Sequence, residues 1–234
     1  MIHLSKAVPA DVDGIAAVVR AVWDQDILPD VCRAQMESDT CALWVAQEEG
    51  GNILGFISAF ITADHAGERR WEVDLVAVTP SRQGQGIGRR LIARACEDRA
   101  AGGAALARAL IGVDNVASQR AFHNAGFGTD HRIYELLLWP PERATEPESC
   151  PATVSLVPVD TVTYRGLWIE GLAGLTRAEQ RSVVRTARAQ VARGNRLNTG
   201  AAVRADSGLA RDLRDEATLQ GEYLWYGRKG KRCA

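Results

Sequence analysis

The chain has 234 residues, 28 basic and 29 acidic, with a net charge of −1 at neutral pH. So even a balance, with no long run of either sign, argues against nucleic acid or an acidic membrane surface as principal partner. The length permits one large domain or two small ones with an adequate core, and no apolar run is long enough to span a bilayer as a helix.

In chain order, residues 2–6 suit a strand, and Pro9-Ala10-Asp11 opens a helix in which Val12, Ile15, Val18, Val19 and Val22 recur at helical spacing. A loop over 23–30 leads to a short helix at 31–37. Strands at 41–47 and 53–62 flank the hairpin turn Glu49-Gly50-Gly51-Asn52. After a polar loop at 64–69, residues 72–78 form a strand that Thr79-Pro80 ends. Gly84, Gly86 and Gly88 follow, and a helix starts at Ile87 with Leu91, Ile92 and Ala95 on one face, ending near Gly102-Gly103. A strand at 105–111, a helix at 117–124 closed by Gly126, and one or two strands within 127–139 complete an α/β layer with a mixed central sheet.

Residues 140–152 read as a linker, because Pro140-Pro141 and the charged residues after them lack periodicity. Beyond it come a strand (161–169), a helix (177–193), a strand (196–203), a helix (207–217) and a strand (219–226), the β-α-β-α-β order of residues 71–139. An offset of 92 pairs Leu75 with Leu167, Arg89 with Arg181, Ala95 with Ala187, Gly102 with Gly194, Asp114 with Asp206, Ala125 with Ala217 and Tyr134 with Tyr226, without a gap. The expectation is a degenerate internal repeat. Residues 172–180 replace the glycine run, so the second copy should bind no phosphate in that manner.

Glycines at a strand-to-helix turn let a ligand approach the backbone, and the unpaired N–H groups of a helix start attract anions. The turn therefore predicts a phosphate or pyrophosphate cradle. A nucleoside-triphosphate loop requires Gly-Lys-Ser/Thr, but Gly88 precedes Arg89-Arg90; a dinucleotide fingerprint requires glycine where Arg89 stands. The five cysteines (Cys32, Cys41, Cys96, Cys150, Cys233) are scattered, and the histidines show no ligand spacing, so no metal is expected.

With Val78-Thr79-Pro80 before it, Gln83-Gly84-Gln85-Gly86-Ile87-Gly88 resembles the signature of the GNAT superfamily of acyl-CoA-dependent N-acetyltransferases. Asn115, Ala117, Phe122 and Gly126-Phe127 resemble its second motif. The resemblance covers about residues 1–139. It implies a GNAT fold there, and the internal repeat then makes residues 153–234 a truncated GNAT-like half. It also implies acetyl-CoA as co-substrate, its pyrophosphate on the amides of Gln83, Gly84, Gln85, Gly86, Ile87, Gly88 and Arg89. The pantetheine would bond main chain at Val76, Ala77 and Val78 as an added strand does, with Asn115, Ser118 and Phe122 beside it.

The implied chemistry is direct attack of a primary amine on a thioester, aided by a general base and a donor to the departing thiolate. Two-residue alternation places Glu72, Asp74, Val76 and Val78 on one face. Glu72 falls where several family members carry a glutamate base, and Asp74 is the second candidate. Phe122 stands where many relatives have a tyrosine, so the donor would be water, Ser118, His123 or a tyrosine from the second half. The acceptor would be a small-molecule amine or a protein N-terminus. Without a secretion signal or spanning segment, a cytoplasmic protein is expected. It would be a monomer of two pseudo-dimeric halves, or a homodimer. A non-catalytic acyl-CoA sensor is the competing reading.

Overall fold

The structure, a computed structural model, describes residues 1–101, 103–143, 149–194 and 196–229. Gly102, Cys233 and residues 144–148 of the expected linker lie outside the described residues.

The chain begins with β1 (Ile2–Lys6), α1 (Val12–Trp23), α2 (Pro29–Glu37), β2 (Cys41–Glu48), β3 (Ile53–Ala63) and β4 (Arg69–Val78). Next come α3 (Ile87–Ala101), β5 (Leu106–Gly112), α4 (Val116–Asn124) and a single strand, β6 (Gly128–Trp139). The second half supplies β7 (Ser155–Asp160), β8 (Arg165–Glu170), α5 (Arg177–Arg193), β9 (Asn198–Arg204), α6 (Arg211–Asp215) and β10 (Thr218–Lys229). β7 was not foreseen: Pro158 interrupts its pattern, and the strand lies at the sheet edge, where a missing N–H is tolerated. α6 occupies only the middle of the helix expected at 207–217.

Among the described residues the strands form one mixed 10-stranded sheet, ordered β1-β2-β3-β4-β5-β10-β6-β9-β8-β7. The halves are interleaved. β10 lies between β5 and β6, and β6 pairs on its other side with β9. Gly112 of β5 faces Tyr223 of β10, and Arg204 of β9 faces Tyr134 of β6. Gly112 and Arg204 keep the sequence offset, but it is Tyr223, not Tyr226, that occupies the place corresponding to Tyr134. The two tyrosines pair with one another at the centre of the sheet. The gap-free register is thus corrected in the last strand, whose pairing with β6 is irregular between Leu219 and Gly221 and between Leu224 and Tyr226; bulges of this kind absorb extra residues.

Three apolar clusters hold the layers. Ile87, Leu91, Ile92 and Ala95 of α3 pack with Trp71, Val73, Ala107, Ala109, Phe122 and Tyr226 on one face of the sheet. α5 and α6 cover Leu137, Trp139, Leu167, Ile169 and Val203 of the second half. On the face opposite α3, α1 and α2 bury Phe56 and Ala77, with Val162 from the β7–β8 turn inserted among them. Among the described residues, the second half has no element corresponding to α1 or α2. Its sheet residues of alternate parity to that buried set therefore lack a helical cover.

Candidate active site

β4 and β5 pair in parallel only from Arg70/Leu106 to Glu72/Arg108. Beyond that point the strands part, leaving main-chain groups of both without a strand partner between them. A cleft of about 460 Å³ opens at this split, lined from the α3 side by Val73, Val76, Asn115, Ser118 and Phe122 and from the opposite side by Glu72, Asp74, Arg108 and Tyr223. It passes through the sheet.

The glycine turn lies at the head of α3. Gly84 and Gly86 have φ of +75° and +74°, a region costly for residues with a Cβ, and a Cβ at either would meet nothing within 4 Å. Gly86 caps the helix by accepting the Arg90 N–H at 3.1 Å. Among the described residues, no backbone acceptor takes the N–H groups of Gly84, Gln85, Gly86, Ile87, Gly88 or Arg89. The Ile87 side chain anchors the turn in the core, Gly88 lies over Val76 and Val78, and the Gln83 side chain donates to the Val78 carbonyl at 3.1 Å. Arg82 is engaged by Glu48 at 2.6 Å and Arg90 donates to the Ile2 carbonyl at 3.1 Å, whereas Arg89 is exposed at the helix start. Ala77 turns its side chain into the α1 core and offers the cleft side only main chain.

β4 does not alternate as expected. Ser58 of β3 pairs with Leu75, but the next residue, Ala59, pairs with Val73, so Asp74 is the extra residue of a bulge. Before it, Trp71 and Val73 face α3; after it, Val76 and Val78 do. Glu72 therefore lies on the opposite face from Val76 and Val78, a correction whose cause is the phase shift at Asp74.

The two candidate acids differ in their surroundings. Glu72 is 9 % exposed, accepts from Thr62 Oγ1 at 2.6 Å, and receives Arg108 Nε at 2.9 and 2.8 Å on its two oxygens. Arg108 also bonds Glu170 of the second half, and Arg70 Nη2 reaches Glu170 at 2.7 Å. Burial depresses the Arg108 pKa, but the charges and bonds of Glu72 and Glu170 more than offset this and raise it. Its guanidinium lies 4.3 Å over the Trp225 ring. Asp74, in contrast, has no arginine partner among the described residues and is exposed, its surface opening onto the cleft. Desolvation pushes its carboxyl up to about 7, a rise that its exposure to the cleft tempers; a hydrogen bond with Thr161 opposes it and the Glu72 charge adds to it.

On the cofactor-side wall, Asn115 caps α4, its Oδ1 accepting the Ser118 N–H at 3.0 Å. Phe122 is 3 % exposed, edge-on to Phe127 at 5.0 Å and near Tyr226 at 6.4 Å. The Ser118 side chain faces the cleft; His123 is exposed and does not line it. Tyr223, brought in by β10, lies on the same cleft. Desolvation and then the Asp114 charge hold its phenol above the ordinary value, so it stays protonated through neutrality. Tyr223, Trp168, Trp225, Arg108 and Glu170 were not singled out by number from the sequence, because no local motif marks residues delivered by strand exchange.

A parallel pair that splays beside a glycine turn at a helix start defines a fold of the acetyltransferase class. Residues 16–127 match the sequence model of the Acetyltransferase (GNAT) family, and the chain carries a domain of that family. No curated protein matches it in sequence. A GCN5-related N-acetyltransferase from Sphaerobacter thermophilus superposes with a TM-score of 0.59 and 12 % identity over 97 % of this chain and 95 % of its own. The glucosamine N-acetyltransferase region of a fungal multi-domain GH3 β-N-acetylglucosaminidase gives a TM-score of 0.62 at 13 % identity over 97 % of this chain, which spans 38 % of that one. YncA of Salmonella typhimurium, solved with its cofactor acetyl-CoA, matches 57 % of this chain and 83 % of its own at 26 % identity and a TM-score of 0.50. The first two likenesses are of fold alone.

Proposed function

We propose that the chain is an acetyl-CoA-dependent N-acetyltransferase acting on a primary amine, with Asp74 as general base and Tyr223 as donor to the departing thiolate. The observation that carries this reading is a cleft running from the cofactor-side wall of Val76, Asn115 and Ser118, through the β4–β5 split, to the Asp74 carboxyl, which has no cationic partner among the described residues. The residues suit coenzyme A: open space above Gly84 and Gly86, free amides from 84 to 89, Arg89 beside them, and a gap wide enough to separate two strands. The co-substrate supplies a thioester carbonyl as electrophile.

In this reading Asp74 takes a proton from the ammonium, leaving a neutral amine. The nitrogen forms a bond to the carbonyl carbon, the carbon–sulfur bond breaks, and the Tyr223 hydroxyl protonates the sulfur. The second proton of the nitrogen restores the phenol, and one proton is released to solvent overall. Glu72 is a positioning residue here: Thr62 and Arg108 occupy its oxygens, and its charge acts on Asp74.

The test is thiol release by the full chain with acetyl-CoA and a panel of amines, comparing Asp74→Asn with Glu72→Gln. Asp74→Asn should lower kcat/KM by at least about a hundredfold, the usual contribution of a general base. A larger loss in Glu72→Gln than in Asp74→Asn would return the base to Glu72. Acetyl-CoA binding without turnover on any amine would favour the sensor.

A further inference from the structure

Beyond the base, the cleft wall is made largely by the second half, on the sheet face that its missing helices leave uncovered. Parity along the strands decides which residues these are. In β8, Leu167 and Ile169 pack under α5, so Trp168 and Glu170 face the other way; in β6, Leu137 and Trp139 are covered and Leu136 is turned to the cleft. In β10, Leu224 and Tyr226 join the α3 cluster while Tyr223 and Trp225 face the cleft. The β7–β8 hairpin closes this wall with Val157 and Val159. Its turn is fastened to the first half by the Leu28 N–H on the Val162 carbonyl at 2.7 Å and by Gln35 Nε2 on the Asp160 carbonyl at 2.9 Å. From the first half, Trp23 and Phe60 complete the lining.

The charge in this chamber is selective. Glu72 and Glu170 are engaged by Arg108 and Arg70; Asp74 and Asp114 have no ion-pair partner among the described residues, and Asp114 stands next to Asn115, on the cofactor-side wall, away from the second-half platform. A flat apolar body with a single ammonium group would place the charge at Asp74 and the body against Trp168 and Trp225. A polyamine would set its further charges against Leu136 and Val157 at a desolvation cost, with only Asp114 at the cofactor end and the two rings, Trp225 already under Arg108, to offset it.

Resting on the proposed transferase activity, we infer that the acceptor is a primary amine carried on an aromatic, uncharged body, an aralkylamine, and that the second half supplies its binding platform. The loss of an α1–α2 equivalent in that half then has a chemical consequence: the uncovered sheet face forms the acceptor site.

The experiment measures kcat/KM with the full chain and acetyl-CoA for 2-phenylethylamine and tryptamine against spermidine and a short peptide with a free N-terminus. The aralkylamines should exceed both others by about tenfold or more, the scale of discrimination an apolar pocket supplies. Trp168→Ala should raise the aralkylamine KM by about the same factor, leave the acetyl-CoA KM unchanged, and be partly rescued by Trp168→Phe. Preference for spermidine or the peptide overturns the acceptor class and leaves the transferase reading standing. Acetyl-CoA binding measured by calorimetry, with no amine acetylated, overturns the transferase reading and the acceptor class with it. If Trp168→Ala does not fold, the wild-type panel alone decides.

Discussion

Asp74 and Glu72 stand two residues apart on β4, and what touches each carboxylate separates their roles. Glu72 is a structural anion: replacing it by Gln leaves Arg108 partly unpaired and should cost on the order of 3 kcal/mol, read from denaturant unfolding. In the proposed mechanism Asp74 is the base. As a base it works deprotonated, so kcat/KM should rise with pH through about 7. Its folded pKa is raised, so between the unfolded value of about 3.9 and about 7 the folded chain holds a proton that the unfolded chain has released. Stability contributed by this group is therefore lost as pH rises across that window. Thermal melts of Asp74→Asn should match wild type below the window and lie higher above it. Tyr223→Phe removes only a hydroxyl. If the phenol protonates the thiolate, kcat should fall about ten- to a hundredfold with both KM values little changed. An unchanged kcat would hand that step to water or Ser118.

At the scale of elements, the turn before α3 was legible in the sequence and the strand before the turn was only partly so. Gly84 and Gly86 announce themselves because positive φ has a residue signature. Gly86→Ala should cost about 1–2 kcal/mol in stability and raise the KM for acetyl-CoA, with kcat at saturation nearly retained, as steady-state kinetics would show. The bulge at Asp74 has no such signature, since any residue can be the extra one, so alternation over Glu72, Asp74, Val76 and Val78 put on one face residues that the bulge divides. The same holds for Asn115. Its place before α4 predicts a cap, and the cap is present, but only the fold shows that Ser118 and Tyr223 share its cleft. Motifs encode local backbone conformation, whereas the partners across a cleft depend on which strand arrives next to β5.

That arrival is a property of the whole molecule. Sequence order shows two similar halves but carries no mark that β10 will pair with β5, because strand pairing is decided by long-range packing. The consequence can be tested by cutting the chain. In a fragment of residues 1–142, β5 loses the pairing of Gly112–Leu106 with Tyr223–Lys229, and β6 loses β10 on one side and β9 on the other. Leu137 and Trp139, at 2 % and 0 % exposure, lose the α5–α6 cluster that covers them. Unpaired edges beside newly exposed apolar surface promote association, so this fragment alone should be insoluble or oligomeric by gel filtration with light scattering. Co-expression with residues 149–234 should recover a soluble 1:1 complex that binds acetyl-CoA, because the missing strands are then supplied in trans. Adding Tyr223→Phe to the second fragment should leave assembly and binding intact and lower turnover as it does in the uncut chain. A soluble, monomeric and active 1–142 fragment would show instead that the first half closes its own sheet, and Tyr223 would lose its place in the reaction.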